Sequence, residues 1–261
     1  MVNMVLDGFN IANKHILIVG GTRGIGLGVA EQFSAQGATV VATGRDISTA
    51  SSEQDIKFIP CEISNAKSVF EAVDAALTFM GRIDAAIINA GIALDDRFEL
   101  GDNKLQSFER HIHTNTLGSM NVLDAVSAKI EDGGSIIITG SGAANIHFPA
   151  YMGYSVSKAS LLPMVKHAAQ RLGKHGVRVN LVSPGTILTD MQQDDDPEAL
   201  ICLAQTALSR LGKVSDLVGA FQFLVSDNSS YMTGSEMVID GGWAGGVTEK
   251  LVGQILDKSH D

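Results

Sequence analysis

Tyr154 and Lys158 form a pair of side chains that could transfer a proton. They lie four residues apart in the run YSVSK, near the start of a helix that the apolar pattern predicts at about 152–174, so both occupy one helix face. A phenol has a pKa of ~10 and is a poor acid or base near pH 7. An ammonium at ~5 Å would stabilise the phenolate by about 3 kcal/mol at an effective dielectric constant of ~20, which lowers the pKa by ~2. Tyr154 could then exchange a proton with an alcohol or a carbonyl group; the alternative is an exposed pair on a helix.

A glycine-rich turn follows the first predicted strand. The short apolar run HILIV is followed directly by GGTRGIG, from Gly20 to Gly26. Glycines at this place let a pyrophosphate reach backbone N–H groups, and the N-terminus of the next helix adds partial positive charge. The spacing of Gly20, Gly24 and Gly26 differs from the GxGxxG fingerprint and lacks the GKS or GKT of a P-loop, which argues against ATP chemistry. The alternative is a tight turn that binds nothing.

Two arginines are placed where they could select the cofactor. A carboxylate at the end of the second strand binds the ribose 2′-hydroxyl of NAD(H), whereas the 2′-phosphate of NADP(H) needs cations. Here the second strand is followed by Arg45, no acid appears until Asp46, and Arg23 lies in the glycine turn. Either arginine alone could be a solvated surface charge, but together they predict NADP(H).

The elements that must position these residues alternate between short β-branched runs and longer segments of helical period. This order is typical of repeated βαβ units, and it predicts an α/β fold with one Rossmann-type, doubly wound parallel sheet and helices on both faces. The predicted strands lie at 15–19, 39–42, 56–59, 85–88, 135–139, 177–182 and 237–239. The predicted helices lie at 25–33, 68–80, about 108–130, about 152–174 and 217–225.

Length, composition and charge limit the possible functions. The chain has 261 residues, 45% of them hydrophobic, and 29 Asp and Glu against 19 Lys and Arg give a formal net charge of −10. This size without a linker predicts one domain over 1–261, with a C-terminal tail at 243–261. The acidic balance argues against nucleic acid and membrane surfaces as partners. No targeting or membrane-spanning run is evident, and two cysteines without disulfide or zinc spacing predict a cytoplasmic protein.

One pair of histidines could suggest a metal site. His111 and His113 lie two residues apart on a predicted helix, so their side chains point in different directions. The sequence therefore predicts no metal site.

Together with further motifs, these features make the sequence resemble the short-chain dehydrogenase/reductase family over nearly its whole length. VGGTRGIG matches the family's TGxxxGxG, NAG at 89–91 matches its NAG, and Tyr154 with Lys158 matches its YxxxK. Ser141 lies 13 residues before Tyr154, where the family has its catalytic serine, and Asn115 resembles its helix asparagine. The segments PGTILT and TG…DGG also match, and the RLG region makes the chain similar to NADP-preferring 3-oxoacyl-carrier-protein reductases.

The resemblance implies a role for each catalytic residue. Tyr154 would be the acid/base, Lys158 would lower its pKa and bind the nicotinamide ribose, Ser141 would hydrogen-bond the substrate oxygen, and Asn115 would hold a water that relays protons to Lys158. A hydride would move to or from the nicotinamide of NADP(H). The implied cofactor-binding residues are Gly20, Thr22, Arg23, Gly24, Ile25, Gly26, Arg45, Glu62, Ile63, Asn89, Ala90, Gly91, Tyr154, Lys158, Pro184, Gly185, Ile187 and Thr189.

The sequence departs from the family pattern at two places that matter. Glu62 stands where Asp is usual, which puts its adenine contact in doubt. Pro163 falls inside the helix that carries Lys158; it removes a backbone hydrogen bond to Ala159 and should kink that helix. In the family this helix packs at a subunit interface, so the resemblance implies a homotetramer or dimer.

The substrate pocket is expected at 92–98, 145–152 and 188–203, with a lid at about 188–210. Its predicted walls are largely apolar, which favours a small or medium apolar ketone or secondary alcohol as the substrate. The wall residues are Ile92, Ala93, Ile146, Phe148, Pro149, Tyr151 and Met152.

Two other functions stay open from the sequence. One is reduction of a 3-oxoacyl thioester on an acidic carrier protein, for which a basic patch is available, although the net charge of −10 weakens it. The candidate patch residues are Lys129, Lys166, Arg171 and Lys174. The other is a non-catalytic NADP(H)-binding sensor or scaffold, which could discard Tyr154, Lys158 or Ser141; all three are present.

Overall fold

The structure is a computed structural model that describes residues 8–94, 105–147, 151–189, 197–249 and 252–253. Its strands are β1 (His15–Val19), β2 (Thr39–Gly44), β3 (Ile56–Pro60), β4 (Ala85–Ile88), β5 (Ser135–Thr139), β6 (Arg178–Pro184), β7 (Ile187–Leu188), β8 (Gly212–Lys213) and β9 (Glu236–Ile239). Its helices are α1 (Gly24–Ala35), α2 (Ala66–Met80), α3 (Leu105–His111), α4 (Ser119–Ser127), α5 (Met152–Ala159), α6 (Leu161–Leu172), α7 (Pro197–Gln205) and α8 (Val214–Val225). A π-helical segment, Ile112–Gly118, joins α3 to α4.

Seven strands form one parallel sheet in the order β3-β2-β1-β4-β5-β6-β9. The predicted fold class is confirmed. The strand order reverses between β1 and β4, and in such sheets the crevice at the carboxyl ends of the strands at the reversal is the usual ligand site. The predicted site residues therefore belong at this edge of the sheet.

The core lies in two layers, one on each face of the sheet. Along β1, Leu17 and Val19 belong to one layer and Ile16 and Ile18 to the other, because successive side chains of a strand point to opposite faces. Helices α2, α4 and α6 cover the first face, and α1 and α8 cover the second. Strands buried on both faces explain why the sequence shows continuous apolar runs there. None of the helices described is long and apolar enough to span a membrane.

The predicted helix at 152–174 is divided into α5 and α6 at Ser160. Pro163 has no N–H to donate to the carbonyl oxygen of Ala159, and the Met164 N–H lies 3.5 Å from the Ser160 oxygen, a long hydrogen bond. The division between the two helices thus lies one turn before the proline, where its missing hydrogen bond would have formed, and the kink itself stays a prediction.

The region predicted as a lid contains regular structure that the sequence did not predict. β7 pairs with β8 in a separate two-stranded sheet, with Ile187 opposite Gly212, and α7 lies between them in the chain. Several other predictions fall outside the described residues: the pocket segments at 95–98, 148–149 (Phe148 and Pro149) and 190–196, and the tail residues at 250–251 and 254–261.

Candidate active site

The glycine turn brings α1 close to the end of β1. Gly20 has a φ of +84°, in the region that favours glycine, and its carbonyl oxygen accepts a 2.8 Å hydrogen bond from Asn89 Nδ2. A Cβ on Gly26 would collide with that carbonyl, so Gly26 permits the close packing of helix and turn. The N-cap of α1 is Arg23, whose side chain makes no capping hydrogen bond, and the first turn contains no acid. The first N–H groups of α1 therefore suit an anion.

A cavity of about 340 Å³ runs along the carboxyl ends of the strands next to this turn. Its lining includes all of the predicted cofactor residues except Gly26, and three of the predicted catalytic residues, Ser141, Tyr154 and Lys158. The predicted cofactor residues in the lining are Gly20, Thr22, Arg23, Gly24, Ile25, Arg45, Glu62, Ile63, Asn89, Ala90, Gly91, Tyr154, Lys158, Pro184, Gly185, Ile187 and Thr189. The lining also contains Cys61, Thr114 and Thr139, which sequence reasoning did not select.

Cations dominate the end of the cavity near β2. Arg23 and Arg45 are both exposed and both line the cavity. Asp46, the nearest acid in sequence, accepts a 2.8 Å hydrogen bond from the Ser48 N–H, and these bonds to Ser48 lower its pKa. It is not part of the lining. Glu62 does line the cavity, but its Oε1 accepts a 2.8 Å hydrogen bond from Ser64 Oγ. That oxygen is therefore used in a hydrogen bond within its own turn.

Tyr154 and Ser141 approach one another from α5 and the end of β5. Their hydroxyl groups are hydrogen-bonded, and Ser141 Oγ also accepts a 3.1 Å bond from the Ala143 N–H. Burial raises the pKa of Tyr154 above its ordinary value, while the hydrogen bond from Ser141 lowers it to a smaller extent. The predicted lowering of this pKa by Lys158 is therefore wrong for the protein alone, because desolvation of the phenolate outweighs the stabilising contacts.

Lys158 is buried, with 5% of its surface exposed. Its Nζ donates a 2.9 Å hydrogen bond to the carbonyl oxygen of Thr139 and lies 5.9 Å from the centroid of the Tyr154 ring. Burial lowers the pKa of this ammonium to about 8, and no carboxylate of the described residues compensates for the lost hydration. The spacing of Tyr154 and Lys158 in the sequence predicts that the two side chains lie close together. The direction of each pKa shift is set by burial, which the spacing does not show.

Asn115 lies behind the cavity instead of in its lining. It occupies the π-helical segment, is buried, and uses its side chain to hold the backbone of Ile92: Oδ1 accepts from the Ile92 N–H at 2.8 Å and Nδ2 donates to the Ile92 oxygen at 2.9 Å. Nδ2 also donates to Ser157 Oγ at 2.9 Å. A Cβ on Gly91 would lie 3.1 Å from Asn115 Oδ1 and 3.5 Å from Lys158 Nζ, so Gly91 allows these groups to approach. The proton-relay role of Asn115 stays a prediction.

The cavity fits a nicotinamide dinucleotide. The uncapped N-terminus of α1 suits a pyrophosphate, and the glycines beside it leave the backbone accessible. At the other end, Thr139 Oγ1 is buried without a hydrogen-bond partner among the described residues, next to Lys158 and Tyr154. The hydroxyl groups and the ammonium at this end suit proton exchange with an oxygen atom.

Comparisons with known proteins agree with this arrangement. A family model described as enoyl-(acyl carrier protein) reductase matches residues 19–244. The chain is 30% identical to short-chain dehydrogenase reductase 3a of Arabidopsis thaliana, over 92% of this chain and 98% of that protein. It is 32% identical to a glucose 1-dehydrogenase of Gluconobacter oxydans, over 88% of this chain and 92% of that protein.

Solved structures give the same result. A short-chain dehydrogenase from Burkholderia cenocepacia in complex with NADP has a TM-score of 0.84 and 28% identity, covering 90% of this chain and 99% of that one. A blue fluorescent protein from a metagenomic library in complex with NADPH has a TM-score of 0.83 and 30% identity, with 90% of this chain and 99% of that one covered.

Proposed function

The chain belongs to the short-chain dehydrogenase/reductase family and is an oxidoreductase acting on CH–OH and C=O groups; from this premise we propose that it uses NADP(H) to interconvert small or medium apolar ketones and alcohols within a single domain. The observation that carries the cofactor assignment is the pair of exposed arginines, Arg23 and Arg45, lining the cavity where β2 ends. Asp46 accepts a hydrogen bond from the Ser48 N–H and does not line the cavity, unlike the two arginines. Solved structures with NADP or NADPH bound to similar chains support the same choice.

The residues of the chain account for the proton in this reaction. The bound nicotinamide supplies or accepts the hydride. In the direction of reduction, Tyr154 gives its proton to the carbonyl oxygen, and its raised pKa keeps it protonated at neutral pH. Ser141 is hydrogen-bonded to Tyr154 and can also bond the substrate oxygen. Lys158, with a pKa of about 8, can return a proton to Tyr154 at little cost.

The described part of the substrate side is apolar and aromatic. Ile92 and Ala93 line the cavity, and the Tyr151 ring meets the Tyr154 ring edge-on, with centroids 6.4 Å apart. Ile146 packs against a small hydrophobic cluster that contains residues of α7 and Trp243. Ile92 and Ala93 in the cavity lining support an apolar ketone as substrate, because their side chains offer no polar partners.

We also propose that the protein forms a homodimer or homotetramer through the surface of α4 and α5. Leu117, Met120, Met152 and Val156 are each 43 to 50% exposed on the π-helical segment and these two helices. Such an apolar surface is costly in water unless a partner covers it. Val156→Asp should shift the mass measured by light scattering toward the monomer. A cytoplasmic location is supported by Cys61 and Cys202, which are buried and not joined in a disulfide.

A direct experiment tests the proposed cofactor and reaction. The purified protein is titrated with NADPH and NADH by fluorescence, and NADPH oxidation is then followed with a panel of ketones. We expect tighter binding of NADPH than of NADH, and turnover with apolar ketones. Tighter binding of NADH would contradict the assignment, and NADPH binding without turnover on any ketone would favour a non-catalytic cofactor sensor.

Reduction of 3-oxoacyl thioesters is the second candidate. The description of the matching family model supports a carrier-bound acyl substrate, although it names an enoyl group and not a 3-oxo group. Lys166, Arg171 and Lys174 support such a substrate as well, because they are exposed near one another in sequence on α6 and the turn after it. An acidic carrier protein could dock there. Activity with an acyl-carrier substrate, lost on charge reversal of Arg171 and Lys174 but kept with a simple ketone, would select this function.

A further inference from the structure

His111, the last residue of α3, is fully buried and hydrogen-bonded at both ring nitrogens. Nδ1 lies 2.9 Å from the carbonyl oxygen of Ser107, one turn earlier, and Nε2 accepts a 3.0 Å hydrogen bond from the Leu94 N–H. A carbonyl oxygen only accepts and a backbone N–H only donates. The two partners therefore fix a neutral imidazole with its proton on Nδ1.

His111 and Asn115 together hold one short segment of the cavity wall. His111 ends α3 and Asn115 lies four residues later in the π-helical segment, and they bond the backbone of Leu94 and Ile92, which are two residues apart. The segment at 92–94 is thereby held at two points. Ile92 and Ala93, which lie within this segment, line the cavity.

The same imidazole contacts the catalytic ring. The centroids of His111 and Tyr154 lie 6.1 Å apart with the rings inclined at 65°, an edge-to-face arrangement. Tyr151 meets Tyr154 in a similar way, at 6.4 Å and 70°. Aromatic rings favour such geometry, so His111 and Tyr151 both restrict the orientation of the Tyr154 ring.

We propose that His111 is a positioning residue that fixes the wall at 92–94 against the Tyr154 ring, and so sets the distance between a bound ketone and the Tyr154 hydroxyl. This proposal rests on the proposed ketone reduction. Because His111 does not line the cavity, its effect passes through Tyr154 and the wall. It should therefore change ketone binding and turnover more than cofactor binding, since small displacements of reacting groups reduce rates strongly.

Two substitutions separate hydrogen bonding from space filling. His111→Leu fills much of the same volume but removes the acceptor for the Leu94 N–H and the donor to Ser107. His111→Gln offers an amide oxygen and an amide N–H for the same two partners. His113→Leu is the matched control, because His113 lies two residues on and is exposed.

The experiment measures kcat and KM for a ketone at saturating NADPH, together with the Kd for NADPH and the melting temperature of each variant. We expect His111→Leu to lower kcat/KM by about tenfold or more, with the NADPH Kd within about threefold of the unmodified protein. His111→Gln should recover most of the loss, and His113→Leu should behave as the unmodified protein. Unchanged kcat and KM in His111→Leu, or no rescue by His111→Gln, would overturn the proposal.

A second measurement needs no variant and no turnover. Long-range ¹H–¹⁵N spectra of the unmodified protein should show His111 neutral with its proton on Nδ1 at neutral pH. A proton on Nε2, or rapid exchange between the two forms, would overturn the proposed positioning even if His111→Leu failed to fold. If the unmodified protein reduced no ketone, the proposed function would fail, whereas the spectrum would still report whether His111 is held as described.

Discussion

Lys158 Nζ lies 5.9 Å from the centroid of the Tyr154 ring while it donates a 2.9 Å hydrogen bond to the carbonyl oxygen of Thr139. Burial acts on both groups, raising the pKa of the phenol and lowering that of the ammonium to about 8. Desolvation always opposes the charged form, so the two shifts have opposite signs. The pair is thus a protonated phenol beside an ammonium that can lose its proton near neutral pH, which suits proton donation to a carbonyl oxygen.

The raised pKa of Tyr154 predicts different pH profiles for the two reaction directions. Ketone reduction needs the neutral phenol, which persists well above neutral pH, so between about pH 6 and pH 9 kcat/KM for reduction should fall only as Lys158 loses its proton, at about pH 8. Alcohol oxidation needs the phenolate and should rise over the same range. Both profiles are measured with saturating cofactor. An oxidation rate that has already reached its plateau at about pH 7 would contradict a raised pKa.

Lys158→Met should stabilise the protein at neutral pH while abolishing turnover. The pKa of Lys158 falls from 10.5 to about 8 on folding, so the folded state binds fewer protons between these values and stability rises with pH across that window. Below pH 8 the buried ammonium therefore costs roughly 3 kcal/mol, partly offset by its hydrogen bond to Thr139. We expect the variant to gain about 1–2 kcal/mol in the free energy of unfolding at pH 7 and to lose that advantage toward pH 10.

Denaturant unfolding at the two pH values checks this, with Lys166→Met as the control. Lys166 is exposed on α6, and no advantage is expected from its replacement. If Lys158→Met gained the same free energy of unfolding at pH 7 and at pH 10, burial of the Lys158 ammonium would not be the cause of the gain.

Arg45→Asp should change the cofactor preference. The substitution removes a cation and adds a carboxylate at the end of β2, so it should weaken NADPH binding by about tenfold to a hundredfold and improve NADH binding. The Kd values of both cofactors are measured by fluorescence titration. Lys174→Asp, an exposed charge reversal outside the cavity lining, serves as the control. An unchanged ratio of the two Kd values in Arg45→Asp would place the 2′-phosphate elsewhere.

Gly142→Ala should disturb the contact between the serine loop and Trp243. A Cβ on Gly142 would lie 2.9 Å from Cζ3 of Trp243, which is 5% exposed and donates a 3.0 Å hydrogen bond to Gln205 Oε1 of α7. We expect a loss of about 1–3 kcal/mol in stability and a red shift in emission, because Trp243 is the single tryptophan of the sequence. Gly219→Ala is the control: it is exposed in α8 with nothing near its Cβ and should stabilise slightly. An unshifted emission spectrum in Gly142→Ala would contradict the contact.

The sheet could be predicted from the sequence because its strands are buried on both faces. The runs at 15–19, 85–88 and 135–139 coincide with β1, β4 and β5. The ends of the helices were predicted less accurately, since capping residues determine them. For example, α2 begins at Ala66, two residues before the predicted start, because Asn65 accepts a hydrogen bond from the Ser68 N–H. β7, β8 and α7 were missed, because two residues are too few to show a strand period and α7 is a short helix beside an acidic loop.

The positions of the site residues could be predicted where a sequence motif fixes the backbone. Their pKa values could not be predicted, because burial determines them. The glycine turn, Tyr154 and Lys158 are indicated by residue types and spacing, Ser141 is implied by the family resemblance, and all of them meet in one cavity. The sign of the Tyr154 pKa shift could not be read, because it depends on desolvation by residues distant in sequence. His111 was considered only as half of a metal pair, and nothing in its spacing shows that Leu94 and Ser107 would fix both nitrogens.

The rate of NADPH oxidation by Tyr154→Phe, with a ketone that the unmodified protein reduces, tests the central claim most directly. The variant lacks only the hydroxyl that exchanges the proton. The account predicts a loss of about 10²–10⁴-fold in kcat with the NADPH Kd almost unchanged. A Tyr154→Phe variant that keeps full activity and binds NADPH normally would contradict it.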